Sequence, residues 1–409
     1  MPEKNVVSVA GSGEYRLADA DTAEIRQYRL ARVRAALVKA ELDCVVLFDP
    51  VNIRYATGTR NMQVWSMHNI CRYAFIAVDG PVVLFDYAGS THLAQGVETV
   101  DAIRPALSWD YFAAGDRNVE LAQKWAREIF DLVSSHAASR RMGVDRLDLL
   151  PLRALEALGI HLEDAKPALE HACSIKSDKE VGQMAFAYAR CADAIRTMRD
   201  GLRPGMREID ALAALAAANI ANGGEYMETR LLTSGPRTNP WLQETSDRTM
   251  QAGELIVFDT DLVGAYGFFT DISRAWVLGD TGPEPEQRQL YSLAYEQLQH
   301  NIALLAPGVG FREFAAKAWP IPPRYRANRY AELVHGVGLA VEYPLVYHEQ
   351  DAATWQYDGI FEPGMTVCVE SYIGAENGRQ GVKLEQPVFI GEQGTHALCD
   401  YPFEQDLIG

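Results

Sequence analysis

Apolar positions recur with a helical period over residues 22–42, which predicts an amphipathic helix. Short apolar runs follow at 43–48, 73–78 and 81–85, each the length of a strand. Asp79-Gly80 separates the last two and predicts a hairpin turn. A second helical period covers 119–135, and residues 143–145 predict a further strand. This alternation predicts an α/β domain. The pattern changes near 175–180, where Ser177 or Asp178 can cap a long helix reaching about Asp200. Two domains are therefore expected, residues 1–172 and 173–409, and 409 residues is chain enough for both.

The second domain carries a pseudo-repeat. Leu202-Arg203-Pro204-Gly205-Met206 follows one predicted helix, and Leu305-Ala306-Pro307-Gly308-Val309 follows another that starts near Glu284. A further short helix is expected after each, over 207–221 and 311–317. An acid-bearing strand pair then closes each copy. Gly205 and Gly308 are 103 residues apart, and Gly253 and Gly364 are 111 apart, so the two features repeat at similar spacing. Two such halves would pack around a shared sheet, with their acids meeting at a pseudo-two-fold axis.

Those acids carry the chemistry. In Gly253-Glu254-Leu255-Ile256-Val257-Phe258-Asp259 an apolar strand ends on a carboxylate, and Gly364-Met365-Thr366-Val367-Cys368-Val369-Glu370 repeats the arrangement. A returning strand brings Asp271 in the first copy and Glu385 in the second. Asp261 is two residues beyond Asp259, which would put both side chains on one face of an extended strand. Between the copies lies His335-Gly336-Val337-Gly338, whose glycines leave room for close approach. Unpaired acids at the ends of apolar strands are costly. Several of them with one imidazole suit a pair of divalent metal ions.

Charge and composition narrow the partners. A net charge of -17 argues against nucleic acid or an anionic membrane as partner. No apolar run approaches the ~20 residues that span a bilayer. The polar first 21 residues contain no signal-like apolar core. The six cysteines are scattered without a C-x-x-C pair, which predicts reduced thiols filling the core of a cytoplasmic protein.

Taken together, Asp259, Gly267-Phe268-Phe269-Thr270-Asp271, His335-Gly336-Val337-Gly338, Glu370 and Glu385 resemble the pita-bread metalloenzyme superfamily of methionine aminopeptidase, prolidase, aminopeptidase P and creatinase. Asn52-Ile53-Arg54-Tyr55-Ala56-Thr57-Gly58 resembles the N-terminal domain of its creatinase-like members. The resemblance implies a mixed α/β and α+β architecture, with a creatinase-like domain ahead of a pseudo-two-fold catalytic domain. Within the superfamily the chain looks most like the dimethylsulfoniopropionate lyases of the DddP type. It shares with them Ser234-Gly235-Pro236-Arg237-Thr238-Asn239-Pro240-Trp241 and the extra aspartate of Phe258-Asp259-Thr260-Asp261-Leu262. That similarity implies Asp259, Asp261, Asp271, His335, Glu370 and Glu385 as ligands of two divalent ions. Iron is the expected metal, with zinc, manganese or cobalt as alternatives. Tyr330 and Trp65 match aromatic positions of the lyases, and Trp65 is expected to reach the partner's site in a homodimer.

The chain departs from both of its models. Peptidases of the superfamily carry a histidine after Ser-Gly and another after His-Gly-x-Gly-Leu. Here the first segment has none, and Glu342 stands in place of the second. Their absence counts against peptide hydrolysis, unless His348 substitutes through a longer loop. The lyases place their base, an aspartate, immediately before Glu-aromatic-Pro, and here that residue is Val341. Glu342 is the candidate catalytic replacement. A sulfonium or betaine carboxylate substrate would need aromatic faces such as Trp65, Tyr330 and Trp241, and Arg237 could hold its carboxylate. A dinuclear lyase forming dimethyl sulfide and acrylate is expected. The alternatives are a metal-dependent C–N hydrolase, Xaa-Pro peptidase-like or creatinase-like, and a catalytically silent binding protein.

Overall fold

The computed structural model describes residues 19–408. The polar segment 1–18, most of the stretch read as lacking a signal core, lies outside that range. The described residues form two compact units, one ending at Cys173 and one beginning at Ser174. Among them no helix is long and apolar enough to cross a membrane.

In the first unit the helix Asp19–Lys39 precedes a six-stranded sheet. Its strands are β1 (Cys44–Leu47), β2 (Tyr73–Ala77), β3 (Val82–Asp86), β4 (Ala102–Pro105), β5 (Arg141–Val144) and β6 (His161–Asp164), ordered β4-β3-β2-β1-β5-β6. β2 and β3 make the antiparallel hairpin around Asp79-Gly80, with Tyr73 opposite Phe85. β1, β2 and β3 are buried along their whole length, so they read as apolar runs rather than alternating ones, with β3 ending on buried Asp86. Their core joins Phe48, Tyr73, Trp109 and Trp125, with the two indoles 4.8 Å apart. The Asn52-to-Thr57 run lies in the helix Pro50–Thr57, capped by the Asp49 carboxylate, which accepts from Val51 N at 2.8 Å. Buried Asp145 accepts from Phe48 N, Asp49 N and Asn52 Nδ2. The segment therefore pins a strand-to-helix corner.

The second unit repeats helix, Pro-Gly turn and helix. Helix Asp178–Gly201 opens on Ser177, with Glu180 closing a capping box. It and helix Pro285–Leu304 each run into a Pro-Gly turn. Gly205 and Gly308 adopt φ of 90° and 84°, a conformation that costs glycine nothing after proline. Helices Glu208–Ala221 and Phe311–Lys317 follow.

The strands of the first half are β7 (Tyr226–Met227), β8 (Leu232–Ser234), β9 (Leu255–Asp259), β10 (Leu262–Val263), β11 (Phe269–Thr270) and β12 (Ser273–Val277). Those of the second are β13 (Glu332–Val337), β14 (Val341–Tyr347), β15 (Thr366–Gly374), β16 (Gly381–Gly391) and β17 (Gly394–Ala397). They pair as three sheets, β11-β10-β7, β12-β9-β8 and β14-β13-β15-β16-β17, and not as the single shared sheet expected from the repeat. β12 lies alongside β16, but the buried Arg274 guanidinium occupies the seam. It donates to the carbonyls of Ser273, Glu385 and Tyr401 and to Gln386 Oε1, at 2.6–3.0 Å. Side-chain donors thus satisfy backbone acceptors that a strand ladder would otherwise satisfy. Helix Pro285–Leu304 packs its apolar face onto β15 and β16 and closes the core.

Candidate metal centre

Each half delivers its acids by a different local device. β9 ends at Asp259, which lies opposite Ser273 on β12. The strand does not continue straight to Asp261. Thr260 Oγ1 donates to Thr270 O at 2.7 Å and accepts from Ile272 N at 2.9 Å, and Asp261 then turns to φ 42°. The two aspartates converge through this left-handed kink, not through the two-residue period of a strand. The Thr229 hydroxyl donates to Asp261 Oδ2 and fixes its rotamer. Asp271 sits between β11 and β12, two residues before the pairing partner of Asp259.

In the second half the acids are true cross-strand partners, with Glu370 of β15 directly opposite Glu385 of β16. His335 of β13 pairs with Cys368, two residues before Glu370. Its Nδ1 donates to Gly336 O at 3.1 Å, which leaves Nε2 for the acids. Nε2 lies 3.4 Å from Glu370, 3.6 Å from Glu385 and 3.7 Å from Asp271. The following glycines serve the neighbouring strand. A Cβ on Gly336 would come within 2.3 Å of Tyr343 O, and one on Gly338 equally close to the Glu342 carboxylate.

Ligand atoms of Asp259, Asp261 and Asp271 lie within 4.8 Å of one another, as do those of Asp271, His335, Cys368 and Glu385. Asp271 belongs to both groups. All of these side chains are buried, and Asp259 Oδ1 and Asp271 Oδ1 have no hydrogen-bond partner. Burial, then the neighbouring Asp259, pushes Asp261 up to about 8; burial, then Glu385, pushes Glu370 up to about 7. Asp271 is raised strongly for the same reasons. Burial opposes ionisation of Glu385 too, but Lys383 and His335 hold it below the usual carboxylate range. Unpartnered buried oxygens and crowded acids are what a cation site requires, so the donor set fits divalent metal ions.

Two groups here were missed by the sequence reading. Lys383 is fully buried, with Nζ 2.6 Å from Glu370 Oε2, 2.8 Å from Ser273 Oγ, 3.0 Å from Asp259 Oδ2 and 3.3 Å from Glu385 Oε2. It is two residues from Glu385 on the same strand, and that parity was the available signal. Cys368, read as core filling, joins the ligand-distance group, although burial keeps its thiol well above its usual range.

The predicted substrate residues fare differently. Tyr330 reaches the centre, its ring 4.7 Å from Lys383 Nζ. Glu342 does not join the cluster: its carboxylate forms an ion pair with buried Lys176. Trp241 is buried in the core against Tyr372 at 6.2 Å, so it offers no face to a substrate. Arg237 pairs with buried Glu208 at 3.3 Å and donates to Glu244 O. His348 is buried, not a surface partner of Glu349; burial, then Arg329, lowers its imidazole to about 4. Trp65 is exposed in the first unit, edge-on to Phe112 at 6.4 Å beside a cavity of about 170 Å³.

A kinked aspartate pair, an aspartate shared by both groups, an imidazole and two opposed glutamates define a pita-bread metalloenzyme. The sequence signature of the Metallopeptidase family M24 matches residues 182–392, and that of the Creatinase/Prolidase N-terminal domain matches residues 29–171. The chain belongs to family M24. Dimethylsulfoniopropionate lyase DddP of Roseobacter denitrificans is 40% identical over 395 residues, covering 95% of this chain and 88% of that protein. The DddP of Roseovarius nubinhibens is 38% identical over 399 residues, covering 96% and 90%. Among solved structures, an Xaa-Pro dipeptidase from Bacillus anthracis superposes with a TM-score of 0.74 at 19% identity, covering 93% of this chain and 99% of its own.

Proposed function

We propose that this protein is a metal-dependent lyase that cleaves dimethylsulfoniopropionate, or a close onium carboxylate, to dimethyl sulfide and acrylate. In that reaction a base takes the α-proton, the electron pair becomes the new double bond, and the C–S bond breaks to release a neutral sulfide. The observation that carries this reading is Asp261, kinked into the cluster from the Asp-Thr-Asp run that resembles the lyases. Identity of 38–40% to two DddP lyases across nearly the whole chain supports it.

Two divalent ions are the loading we infer. Five carboxylates and the Lys383 ammonium leave four negative charges, which two divalent ions balance. We take Asp259, Asp261, Asp271, His335, Glu370 and Glu385 as their ligands. Iron is the metal we propose, on the resemblance to the lyases, and an oxygen-rich set with one imidazole is compatible with it. Divalent ions bound there supply Lewis acidity toward a substrate carboxylate. Tyr330, beside Lys383, walls that carboxylate's approach. The ion pair with Lys176 speaks against Glu342 as the base. We further propose a cytoplasmic homodimer, supported by exposed Trp65, Tyr111 and Phe112 on the first unit and by six free cysteines.

The test is a panel on metal-reconstituted protein: dimethylsulfoniopropionate, betaines, Xaa-Pro dipeptides and creatine. Dimethyl sulfide and acrylate in equal amounts support the lyase. Proline release, or C–N cleavage without sulfide, would replace it with the hydrolase. Light scattering checks the dimer.

A further inference from the structure

The second unit opens a cavity of about 510 Å³, lined by Arg329, Ala331, Glu332, Tyr347, Asp351 and Trp355. The strand geometry that builds it is specific. Glu332 lies directly opposite Tyr347 across β13 and β14, so their side chains share one face of the sheet. The register shifts by one residue between Glu332 and Val334. Such a bulge re-aims a side chain. Glu332 lies three residues before His335 on β13; burial raises its carboxyl above the usual range, while the His335 and Lys383 charges oppose that rise. Helix Glu349–Trp355 then brings the Trp355 indole to 6.3 Å from the Tyr347 ring, tilted by 36°.

The charges in this cavity do not cancel. Arg329 is committed to Asp351, through Nε at 2.9 Å and Nη2 at 2.5 Å. No ion pair to Glu332 is found among the described residues. One acid remains, opposite Tyr347 in a cavity that Trp355 also lines. Tyr330, the aromatic expected to meet a substrate cation, already has Lys383 over its ring.

We propose that Glu332, Tyr347 and Trp355 form a seat for a methylated onium group, holding the cationic end of a substrate whose carboxylate lies at the metal centre. A methylated sulfonium or ammonium has no strong hydrogen-bond donor. It is recognised by ring faces and a nearby negative charge, and this cavity supplies both. The seat rests on the lyase reading for its place in the reaction, but not for its ability to bind a cation.

The test uses metal-loaded full-length protein titrated calorimetrically with tetramethylammonium chloride and trimethylsulfonium iodide at constant ionic strength, with tert-butanol as neutral isostere. Both cations should bind and tert-butanol should not. Glu332→Gln and Trp355→Ala should each weaken the cations by roughly tenfold and raise KM for dimethylsulfoniopropionate more than they lower kcat. Trp355 is exposed, so its replacement leaves the core intact. Unchanged cation affinity in both variants, or equal binding of the neutral isostere, overturns the seat. A wild type that turns over dimethylsulfoniopropionate with KM unchanged in both variants rejects the seat and keeps the lyase. A wild type that binds the cations but releases no sulfide rejects the lyase and keeps the seat.

Discussion

Lys383 Nζ lies 3.0 Å from Asp259 Oδ2, and that contact ties β16 of the second half to β9 of the first. The same ammonium reaches Glu370 and Glu385. It is a fixed internal cation in a cluster that otherwise depends on metal. Lys383→Met should destabilise the metal-free protein by about 3–5 kcal/mol, since it leaves buried carboxylates uncompensated. Lys383→Arg should recover part of that. Urea unfolding of chelator-treated protein measures both, and a Lys383→Met midpoint equal to wild type would show that the ammonium is dispensable.

Asp271 stands in both ligand groups, so its loss should affect both ions. Purified wild type should carry close to two divalent ions per chain. Asp271→Ala should lose both together with activity, and Glu385→Ala should lose metal and activity as well. Elemental analysis finding one tightly held ion in Asp271→Ala would show that the two ions do not share this residue.

Val341 is exposed at the start of β14, and its neighbour Glu342 is held by Lys176. Restoring an acid there should supply a base without disturbing the core. Val341→Asp should increase dimethyl sulfide release, up to the ~10²–10⁴-fold that general bases contribute. Glu342→Gln should leave metal content and turnover close to wild type while lowering stability by about 1–3 kcal/mol, because Lys176 keeps only a neutral partner. Abolished turnover in a metal-replete Glu342→Gln protein would restore Glu342 as the base.

His348 carries a pH signature. Its imidazole is lowered to about 4 in the fold, by burial first and Arg329 second, from an ordinary 6.5. Below pH 6.5 the unfolded chain takes up a proton that the folded chain refuses. The stability present above 6.5 is therefore lost as pH falls toward 4, by at most about 3 kcal/mol. His348→Gln should flatten the slope across that window. Denaturation midpoints for the two proteins at pH 7.5, 6, 5 and 4.5 would expose it, and parallel curves would mean that the imidazole is not depressed.

Short-range signals were enough for most elements. The Ser177-to-Glu180 cap, the Asp79-Gly80 hairpin and the paired Pro-Gly turns depend on residues a few positions apart, and each forms as read. The five acids and the histidine were legible because a carboxylate ending an apolar strand is conspicuous. What the chain hides is anything that depends on how strands meet. The sheet split follows from Arg274 filling the seam, and the Asp261 convergence follows from a positive-φ kink that no alternation pattern encodes.

The sequence by itself determined the two-unit plan, the acidic repeat and its metal chemistry, since these follow from local periodicity and residue type. Only the tertiary structure decided which charged side chains share the interior. It put Lys383 among the acids, took Glu342 away to Lys176, buried Trp241 against Tyr372, and set Glu332 opposite Tyr347. The physical reason is that an ion pair or a cross-strand pair between distant residues is set by register and burial. Neither leaves a trace in the spacing of residues along the chain.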